Sequence, residues 1–257
     1  MILLLDIGNT RIKWVLFADG RSSVKSAAAY HEQELDTVFA KLWHVIPRPE
    51  RVVAACVAGD VVRSHLSAWC MQQWGLVPEY IVSVAEQCGV RNAYVFPEQL
   101  GADRWLAMIG ARQISHLAGQ ALCVIGCGTA LTVDILTAEG QHLGGWIAPG
   151  IGLMRRGLEV GTAVFAAGIA PVTGSGNFAI GSMEAAATGT MQAAVGLIMQ
   201  ALRMANDQYD LALVCVLTGG DAESLLPLLP QPAHYVPDLI FLGLAQLVTT
   251  DSEQVNT

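Results

Sequence analysis

Short apolar runs alternate along the chain with longer stretches in which apolar residues recur about every 3.6 positions. The short runs, bounded by Gly, Asp or Asn, predict strands, and the longer stretches predict helices. The predicted strands cover residues 2–5, 12–17, 52–57, 121–125, 131–136 and 211–217. The predicted helices cover residues 32–44, 60–74, 100–116 and 185–205. This mixture predicts an α/β fold.

The chain carries a coarse internal repeat. Residues 2–17 form a predicted strand, a glycine-containing turn and a second strand, and residues 122–136 follow the same plan. Two such hairpins, about half a chain apart, predict two lobes of related topology that face each other across a cleft. We therefore expect an N-terminal lobe over residues 1–117 and a C-terminal lobe over residues 118–257.

The amino-acid composition excludes two classes of binding partner, nucleic acids and anionic membranes. The 257 residues are 53% hydrophobic, which provides for a large core, and the formal net charge is −8 with only three lysines. Such a chain cannot build the basic face that binding to nucleic acid or to an anionic membrane surface requires. No basic segment precedes the first apolar run, and residues 185–205 carry Gln192, Gln200 and Arg203. These features predict a soluble, cytoplasmic protein without a signal peptide or membrane span.

The first hairpin carries the residue types of a phosphate site. Gly8 can take a positive φ and Asn9 tolerates one, so successive backbone N–H groups can point toward an anion. Thr10 adds a hydroxyl, Lys13 adds a cation, and Asp6 can hold a hydrated Mg²⁺ beside the phosphates. The alternative is an ordinary turn, since Asp-x-Gly-Asn is also good turn chemistry.

A second glycine hairpin favours the functional interpretation. Residues 126–130 again offer a bare backbone, with a hydroxyl at Thr129. Two phosphate-binding hairpins of this kind are the number that a nucleoside triphosphate could use. The sequence contains neither a GxxxxGK[ST] motif nor a complete GxGxxG fingerprint, which argues against a P-loop enzyme and a Rossmann dehydrogenase.

Five segments together resemble type III pantothenate kinases, a family of the acetate and sugar kinase/Hsc70/actin superfamily. They are residues 6–13, 100–105 (LGADRW), 128–134, 144–150 (GGWIAPG) and 218–220. The resemblance implies two ribonuclease H-like lobes of mixed sheet plus helices in an actin-like ATPase architecture. It also implies a cytoplasmic homodimer that uses Mg²⁺ and ATP to phosphorylate pantothenate to 4′-phosphopantothenate, the first step of coenzyme A biosynthesis.

The resemblance assigns roles to single residues. Asp103 matches the general base, although a loop aspartate could instead cap the following helix. The implied substrate contacts are Tyr94, Gly101, Ala102, Asp103, Arg104 and Ser182. The implied ATP contacts are Asp6, Ile7, Gly8, Asn9, Thr10, Arg11, Ile12, Lys13, Gly128, Thr129, Gly219 and Gly220.

The chain departs from the family pattern at two positions. Gly126 stands where many members have an acidic residue associated with a monovalent cation, so the resemblance leaves activation by potassium or ammonium open and Gly126 argues against it. Ser182, seven residues before Gly189, replaces a substrate-contacting threonine. The small residues Gly189, Ala193 and Gly196 allow another helix to approach, either within the chain or across the implied dimer interface.

Two rival functions remain open at this stage. A sugar or acetate kinase of the same superfamily would use the same phosphate hairpins, but the segment 101–105 with Tyr94 argues against it. A non-catalytic nucleotide-binding accessory protein would share the fold, and the presence of Asp6, Lys13 and Asp103 argues against that.

Overall fold

The computed structural model describes residues 1–18, 20–23, 25–30, 35–170 and 178–255, with the side chains of 251–255 excepted. The chain divides into two compact units. Unit 1 contains residues 1–115 together with the C-terminal helix that begins at Leu239, and unit 2 contains residues 116–238.

Unit 1 is built on a mixed sheet flanked by helices. Its strands run in the order β3-β2-β1-β5-β6, with β4 also paired to β2, and β7 and β8 form a separate ribbon. The strands are β1 (Ile2–Ile7), β2 (Arg11–Ala18), β3 (Arg21–Ser22), β4 (Ser26–Ala29), β5 (Arg51–Cys56), β6 (Glu79–Tyr80), β7 (Glu86–Gln87) and β8 (Val90–Arg91). The helices are α1 (Leu35–Trp43), α2 (Asp60–Trp74), α3 (Ala102–Arg112) and α7 (Leu239–Val255).

Unit 2 is built on a second mixed sheet, in the order β11-β10-β9-β12-β13. Its strands are β9 (Ala121–Cys127), β10 (Ala130–Leu136), β11 (His142–Pro149), β12 (Leu213–Thr218) and β13 (Ala233–Tyr235). Its helices are α4 (Ile151–Gly161), α5 (Ser182–Tyr209) and α6 (Ala222–Leu225).

The two sheets share one topology, which confirms the predicted internal repeat. In each, a hairpin pairs antiparallel (β1 with β2, β9 with β10), and the first strand then pairs parallel with a strand that arrives after a helix (β5 and β12). This strand order and direction are those of the expected ribonuclease H-like lobes.

The core of unit 1 lies between its sheet and helices α1 and α2. The apolar stripes of these helices bring four aromatic rings together, and the ring of Phe39 stacks on Trp43 at a centroid distance of 5.1 Å. Trp69 and Trp74 meet edge to face at 4.8 Å. Such contacts between aromatic rings add to the free energy that burial provides.

The C-terminal helix departs from the expected division of the chain. We assigned residues 118–257 to the second lobe, whereas α7 packs in unit 1 against α3. Two glycines allow this packing. A Cβ atom on Gly110 would lie 2.0 Å from the carbonyl oxygen of Leu239, and one on Gly243 would lie 2.2 Å from that of Leu106. The backbones of α3 and α7 therefore contact each other directly at these glycines, where a side chain would not fit.

Most of the predicted elements are confirmed to within a few residues. The helix predicted over 60–74 has the same bounds in the structure, whereas the one predicted over 100–116 is the shorter α3. The first residues of the helix predicted over 32–44 lie outside the described residues, and its described part is α1. Helices α4 and α7 were not predicted, because their glycines and continuous apolar runs obscure a helical period.

Candidate active site

The first hairpin joins β1 and β2 through residues 8–10. The backbone N–H of Gly8 donates to the Arg11 carbonyl oxygen (3.1 Å), and the Tyr30 hydroxyl donates to the Gly8 carbonyl oxygen (2.7 Å). Our expectation of a positive φ at Gly8 or Asn9 is wrong, because neither residue lies in that region. A Cβ on Gly8 would make only an ordinary contact, so the turn itself does not require glycine there.

Asp6 and Lys13 face each other across this hairpin. They are directly paired residues of β1 and β2, and Lys13 Nζ donates to Asp6 Oδ2 at 2.9 Å. The Asp6 side chain is buried and the lysine is about one-third exposed. The buried Asp6 carboxylate therefore holds the Lys13 ammonium group beside the turn, where a phosphate group could contact it.

Asp103 lies in the first turn of α3. Gly101 occupies the N-cap position, so Asp103 is not the N-cap residue, but its carboxylate does bind a backbone N–H of the first helical turn. The carboxylate folds back over Gly101, and its Oδ1 accepts the backbone N–H of Arg104 at 2.9 Å. A side chain at position 101 would collide with this oxygen, since a Cβ there would lie 2.7 Å from it.

The environment of Asp103 makes its carboxylate a stronger base. Burial raises its pKa above the usual value for aspartate, and the negative charge of Asp6 raises it further. The backbone N–H and the guanidinium of Arg104 partly offset this increase. The negative charge of Asp6, on the first hairpin, thus acts on the carboxylate of Asp103 within unit 1.

Arg104 and Tyr94 contact each other directly. Arg104 Nη1 donates to the Tyr94 hydroxyl at 3.0 Å, and the guanidinium carbon lies 5.8 Å from the centre of the tyrosine ring. Arg104 is only 5% exposed, which excludes a surface ion pair. Asn92 Oδ1 accepts the backbone N–H of Tyr94 and so fixes the loop that carries the ring.

The second hairpin, in unit 2, is fixed by the start of α4. The backbone N–H of Gly128 donates to the Ala130 carbonyl oxygen (3.0 Å), and that of Gly150 donates to the Thr129 carbonyl oxygen (2.9 Å). A Cβ on Gly150 would lie 2.1 Å from the Gly128 carbonyl oxygen. The last glycine of the segment 144–150 thus packs directly on the second glycine hairpin.

The glycines after β12 lie against the same loop. Gly219 has a φ of +103°, and a Cβ there would lie 2.3 Å from the Cys127 carbonyl oxygen. That oxygen also accepts the backbone N–H of Asp221 at 3.1 Å. The structure therefore brings together Gly128, Thr129, Gly219 and Gly220, with Gly128 and Gly220 exposed.

Ser182 begins α5 in unit 2 and is exposed, as are its neighbours Phe178 and Ile180. Within the described chain, α5 alone is long and apolar enough to cross a membrane, a test that core helices of soluble proteins also pass. One face of α5 packs in the core of unit 2 through Ala194 and Ile198. Only 28% of its most apolar 18-residue window is buried.

Sequence reasoning missed two supporting residues. Tyr30, which fixes the first turn, carries no signal in the sequence, because its contact spans 22 positions. Gly150 lies in the quoted segment 144–150 but received no role. The sequence did contain a signal for Gly150, since it ends a glycine-rich segment with Pro-Gly directly before α4.

The fold matches those of solved structures over nearly the whole chain. The chain superposes on a protein of Campylobacter jejuni assigned to the Baf family of transcriptional activators, with a TM-score of 0.61, 21% identity and coverage of 98% of this chain and 99% of that one. It superposes on a 2-dehydro-3-deoxygalactonokinase of Sinorhizobium meliloti with a TM-score of 0.59, 12% identity and coverage of 96% and 97%. With its two repeated sheets, the chain has the actin-like ATPase fold of the sugar kinases.

Sequence comparison identifies the family within this class. The family model for type III pantothenate kinase matches residues 2–204. The type III pantothenate kinase of Nitrosococcus oceani is 36% identical over 259 residues, covering 98% of this chain and 96% of that protein. The type III pantothenate kinase of Verminephrobacter eiseniae is 34% identical over 250 residues, covering 95% and 96%. The chain belongs to the type III pantothenate kinase family.

Proposed function

We propose that this chain transfers the γ-phosphoryl group of ATP to the primary hydroxyl of pantothenate, with Asp103 as the general base. The observation that carries the proposal is the association of Asp103, whose pKa is raised, with the Asp6–Lys13 hairpin in one unit. Family membership supports pantothenate as the acceptor.

In the proposed reaction, the Asp103 carboxylate accepts the proton of the pantothenate hydroxyl as that oxygen forms a bond to the γ-phosphorus. The bond from the γ-phosphorus to the bridging oxygen breaks, and ADP leaves with the electron pair. Such a transfer depends mainly on positioning and on stabilisation of charge. Lys13 provides a cation for the phosphate oxygens, and Arg104 and Tyr94 hold the acceptor beside Gly101 and Ala102.

The proposed nucleotide contacts come from both hairpins. In unit 1 they are residues 6–13. In unit 2 they are Gly128, Thr129, Gly219 and Gly220, and the left-handed φ of Gly219 leaves room for a close backbone approach. Gly8 supports the same assignment. Neither a positive φ nor close packing among the described residues requires glycine at this position, and the absence of a side chain leaves the turn open to a ligand.

Asp6 is the proposed magnesium ligand, through water. Mg²⁺ binds one or two carboxylates together with water and phosphate oxygens, and the buried Asp6 carboxylate at the turn fits that donor set. Lys13, partly exposed, can move from Asp6 to a phosphate oxygen when the nucleotide binds. Bound magnesium would neutralise phosphate charge during transfer.

We propose that no monovalent cation is required. Gly126 carries no ligand atom in its side chain, and Thr132 fills the space where one would lie. The Thr132 Oγ1 atom would be 2.5 Å from a Cβ at position 126, and these two residues are directly paired in β9 and β10. A hydroxyl group therefore occupies the place of the acidic side chain found in many relatives.

The proposed assembly is a cytoplasmic homodimer that associates through α5. Gly189, Ala193 and Gly196 form an exposed stripe, and no atom of the described chain lies within 4 Å of a Cβ placed on either glycine, apart from the helix itself. Packing among the described residues therefore does not account for the two glycines. Ser182, at the start of the same helix, is the proposed substrate contact from this region.

The proposal is tested by ADP release from Mg-ATP with a panel of acceptors: pantothenate, a hexose, acetate and none. We expect turnover that depends on pantothenate. Turnover with a hexose or acetate instead would indicate a different kinase of the same fold. ATP binding without turnover of any acceptor would favour the non-catalytic accessory protein.

A further inference from the structure

Two histidine side chains contact each other in unit 2, although 118 positions separate them in the sequence. His116 lies in a short 3-10 turn (Ser115–Leu117) at the start of the unit and is exposed, and His234 lies on β13 and is half-buried. Their ring centroids are 5.1 Å apart, with an angle of 63° between the ring planes. Because His116 is exposed, dissolved ions can reach this pair of imidazoles.

Neither imidazole has a polar partner among the residues that the structure describes. In that part of the chain, no hydrogen bond or ion pair involves a ring nitrogen of His116 or His234. The other three described histidines, His44, His65 and His142, each have a ring nitrogen within 3.1 Å of an oxygen atom of another residue. The two histidines that contact each other are therefore those whose ring nitrogens the described fold leaves for a ligand.

The separation of the two rings suits a shared metal ion. Zn²⁺ binds histidine nitrogens at about 2.0–2.1 Å in tetrahedral geometry, which places the centroids of two ligating imidazoles about 5 Å apart. The rings of His116 and His234 already have this spacing. A neutral imidazole donates a lone pair to Zn²⁺, Cu²⁺ or Ni²⁺, whereas Mg²⁺ prefers oxygen ligands. The pair therefore selects a different cation from the one proposed to bind at Asp6.

This pair supplies two protein ligands and leaves the other coordination positions open. The described residues contain no group of three or more His, Cys, Asp or Glu side chains that could hold a metal ion. Water fills the remaining positions, so we expect micromolar affinity instead of the much tighter binding of structural zinc sites with four protein ligands. The formal net charge of −8 favours the approach of a cation to the protein.

We propose that His116 and His234 form a binding site for a transition-metal cation of the Zn²⁺ type. The bound cation joins the first turn of unit 2 to β13, the edge strand of its sheet. It stabilises the folded protein, because the unfolded chain does not hold the two imidazoles together. The site is independent of the proposed function, since neither histidine belongs to the segments proposed to bind ATP or pantothenate.

The experiment titrates zinc chloride into the full chain without an affinity tag and without ATP, and measures binding by calorimetry. We expect one Zn²⁺ per chain with a Kd in the micromolar range, unchanged by millimolar Mg²⁺. His116→Gln and His234→Gln should each weaken binding at least about tenfold, because one of two protein ligands is lost. His44→Gln is the matched control, since it removes an exposed imidazole from unit 1 and should leave Zn²⁺ binding unchanged.

Two further measurements on the same proteins complete the test. Zn²⁺ should raise the Tm of the unaltered protein and of His44→Gln but not that of His116→Gln. Nitrogen NMR of the unaltered protein should show that Zn²⁺ shifts the ring signals of two of the six histidines, which identifies the ligands even if a variant does not fold. Absence of Zn²⁺ binding, equal affinity in all variants, or shifts confined to other histidines would overturn the proposal.

Discussion

Lys13 Nζ lies 2.9 Å from Asp6 Oδ2, between directly paired residues of the first hairpin. This ion pair connects the first turn, on which the nucleotide phosphates are proposed to bind, to Asp103, whose pKa the Asp6 charge helps to raise. The buried Asp6 carboxylate therefore belongs to the proposed phosphate site and also raises the pKa of the proposed base.

Replacement of Lys13 by Met should weaken the use of ATP. The variant loses a cation at the phosphate site, and we expect kcat/KM for ATP to fall about 10- to 100-fold. Initial rates at varied ATP measure this change. Lys41→Met, which removes an exposed lysine from α1, is the control and should keep the activity of the unaltered enzyme. Equal rates for the two variants would exclude Lys13 from the site.

Asp103→Asn should lower kcat by about 10²- to 10⁴-fold, because the acceptor hydroxyl loses its base. ATP binding, measured by calorimetry, should remain. Unchanged turnover would remove Asp103 from the mechanism.

The same variant should change the pH dependence of stability. The pKa of Asp103 is higher in the folded protein than in the unfolded chain, where it is near 4. Ionisation of this carboxyl group therefore lowers the free energy of unfolding above the folded-state pKa, and it has no effect below about pH 4. Asp103→Asn should therefore be more stable than the unaltered protein at pH 7, and the difference should shrink as the pH falls toward 4. Urea unfolding at several pH values measures it, and a variant less stable at pH 7 would contradict the pKa argument.

Gly110→Ala should destabilise the protein by about 2–4 kcal/mol, since its Cβ would lie 2.0 Å from the Leu239 carbonyl oxygen and would push α7 from α3. Gly157→Ala is the matched control. Gly157 lies on the exposed face of α4 with nothing near its Cβ, so alanine there should stabilise the fold by up to about 1 kcal/mol. Thermal or urea unfolding of both variants measures the difference in stability. Similar stabilities for the two variants would contradict the prediction.

Gly196→Glu should dissociate the proposed dimer. It places a charge in the exposed stripe of small residues on α5, and no described residue lies within 4 Å of the new Cβ. Sedimentation equilibrium should show a dimer for the unaltered protein and monomers for the variant. Gln72→Glu, on the exposed face of α2, adds the same charge elsewhere and should leave the dimer intact. A monomeric unaltered protein would contradict the proposal.

Potassium or ammonium should change turnover by less than about twofold relative to sodium, since Gly126 has no side-chain ligand and the Thr132 hydroxyl fills its place. Initial rates at equal ionic strength measure the effect. Activation by potassium alone would require a cation site built from other residues.

Local patterns in the sequence predicted much of this fold. The apolar runs gave both hairpins, and their repetition predicted the shared topology of the two sheets, because strand period and turn residues are local properties. The bounds of α2 followed from the same reasoning. The packing of α7 on α3 did not, because it depends on Gly110 meeting Leu239 across 129 positions.

Individual residues of the candidate site could be predicted only where they lie in a motif of the family. Asp103, Arg104 and Tyr94 were named from such motifs, and the Arg104–Tyr94 contact confirms that two of them lie together. The conformation of the first turn was not predictable from its composition. The same residues can form a turn in which glycine adopts a left-handed conformation, or a turn in which glycine leaves the backbone open to a ligand.

The most direct test of the account is identification of the product. Purified protein should be incubated with Mg-ATP and pantothenate, and the mixture analysed by ³¹P NMR and mass spectrometry, with Asp103→Asn in parallel. The account predicts 4′-phosphopantothenate and ADP in equal amounts from the unaltered protein and only traces from the variant. ADP without phosphopantothenate, or equal product from both proteins, would contradict it.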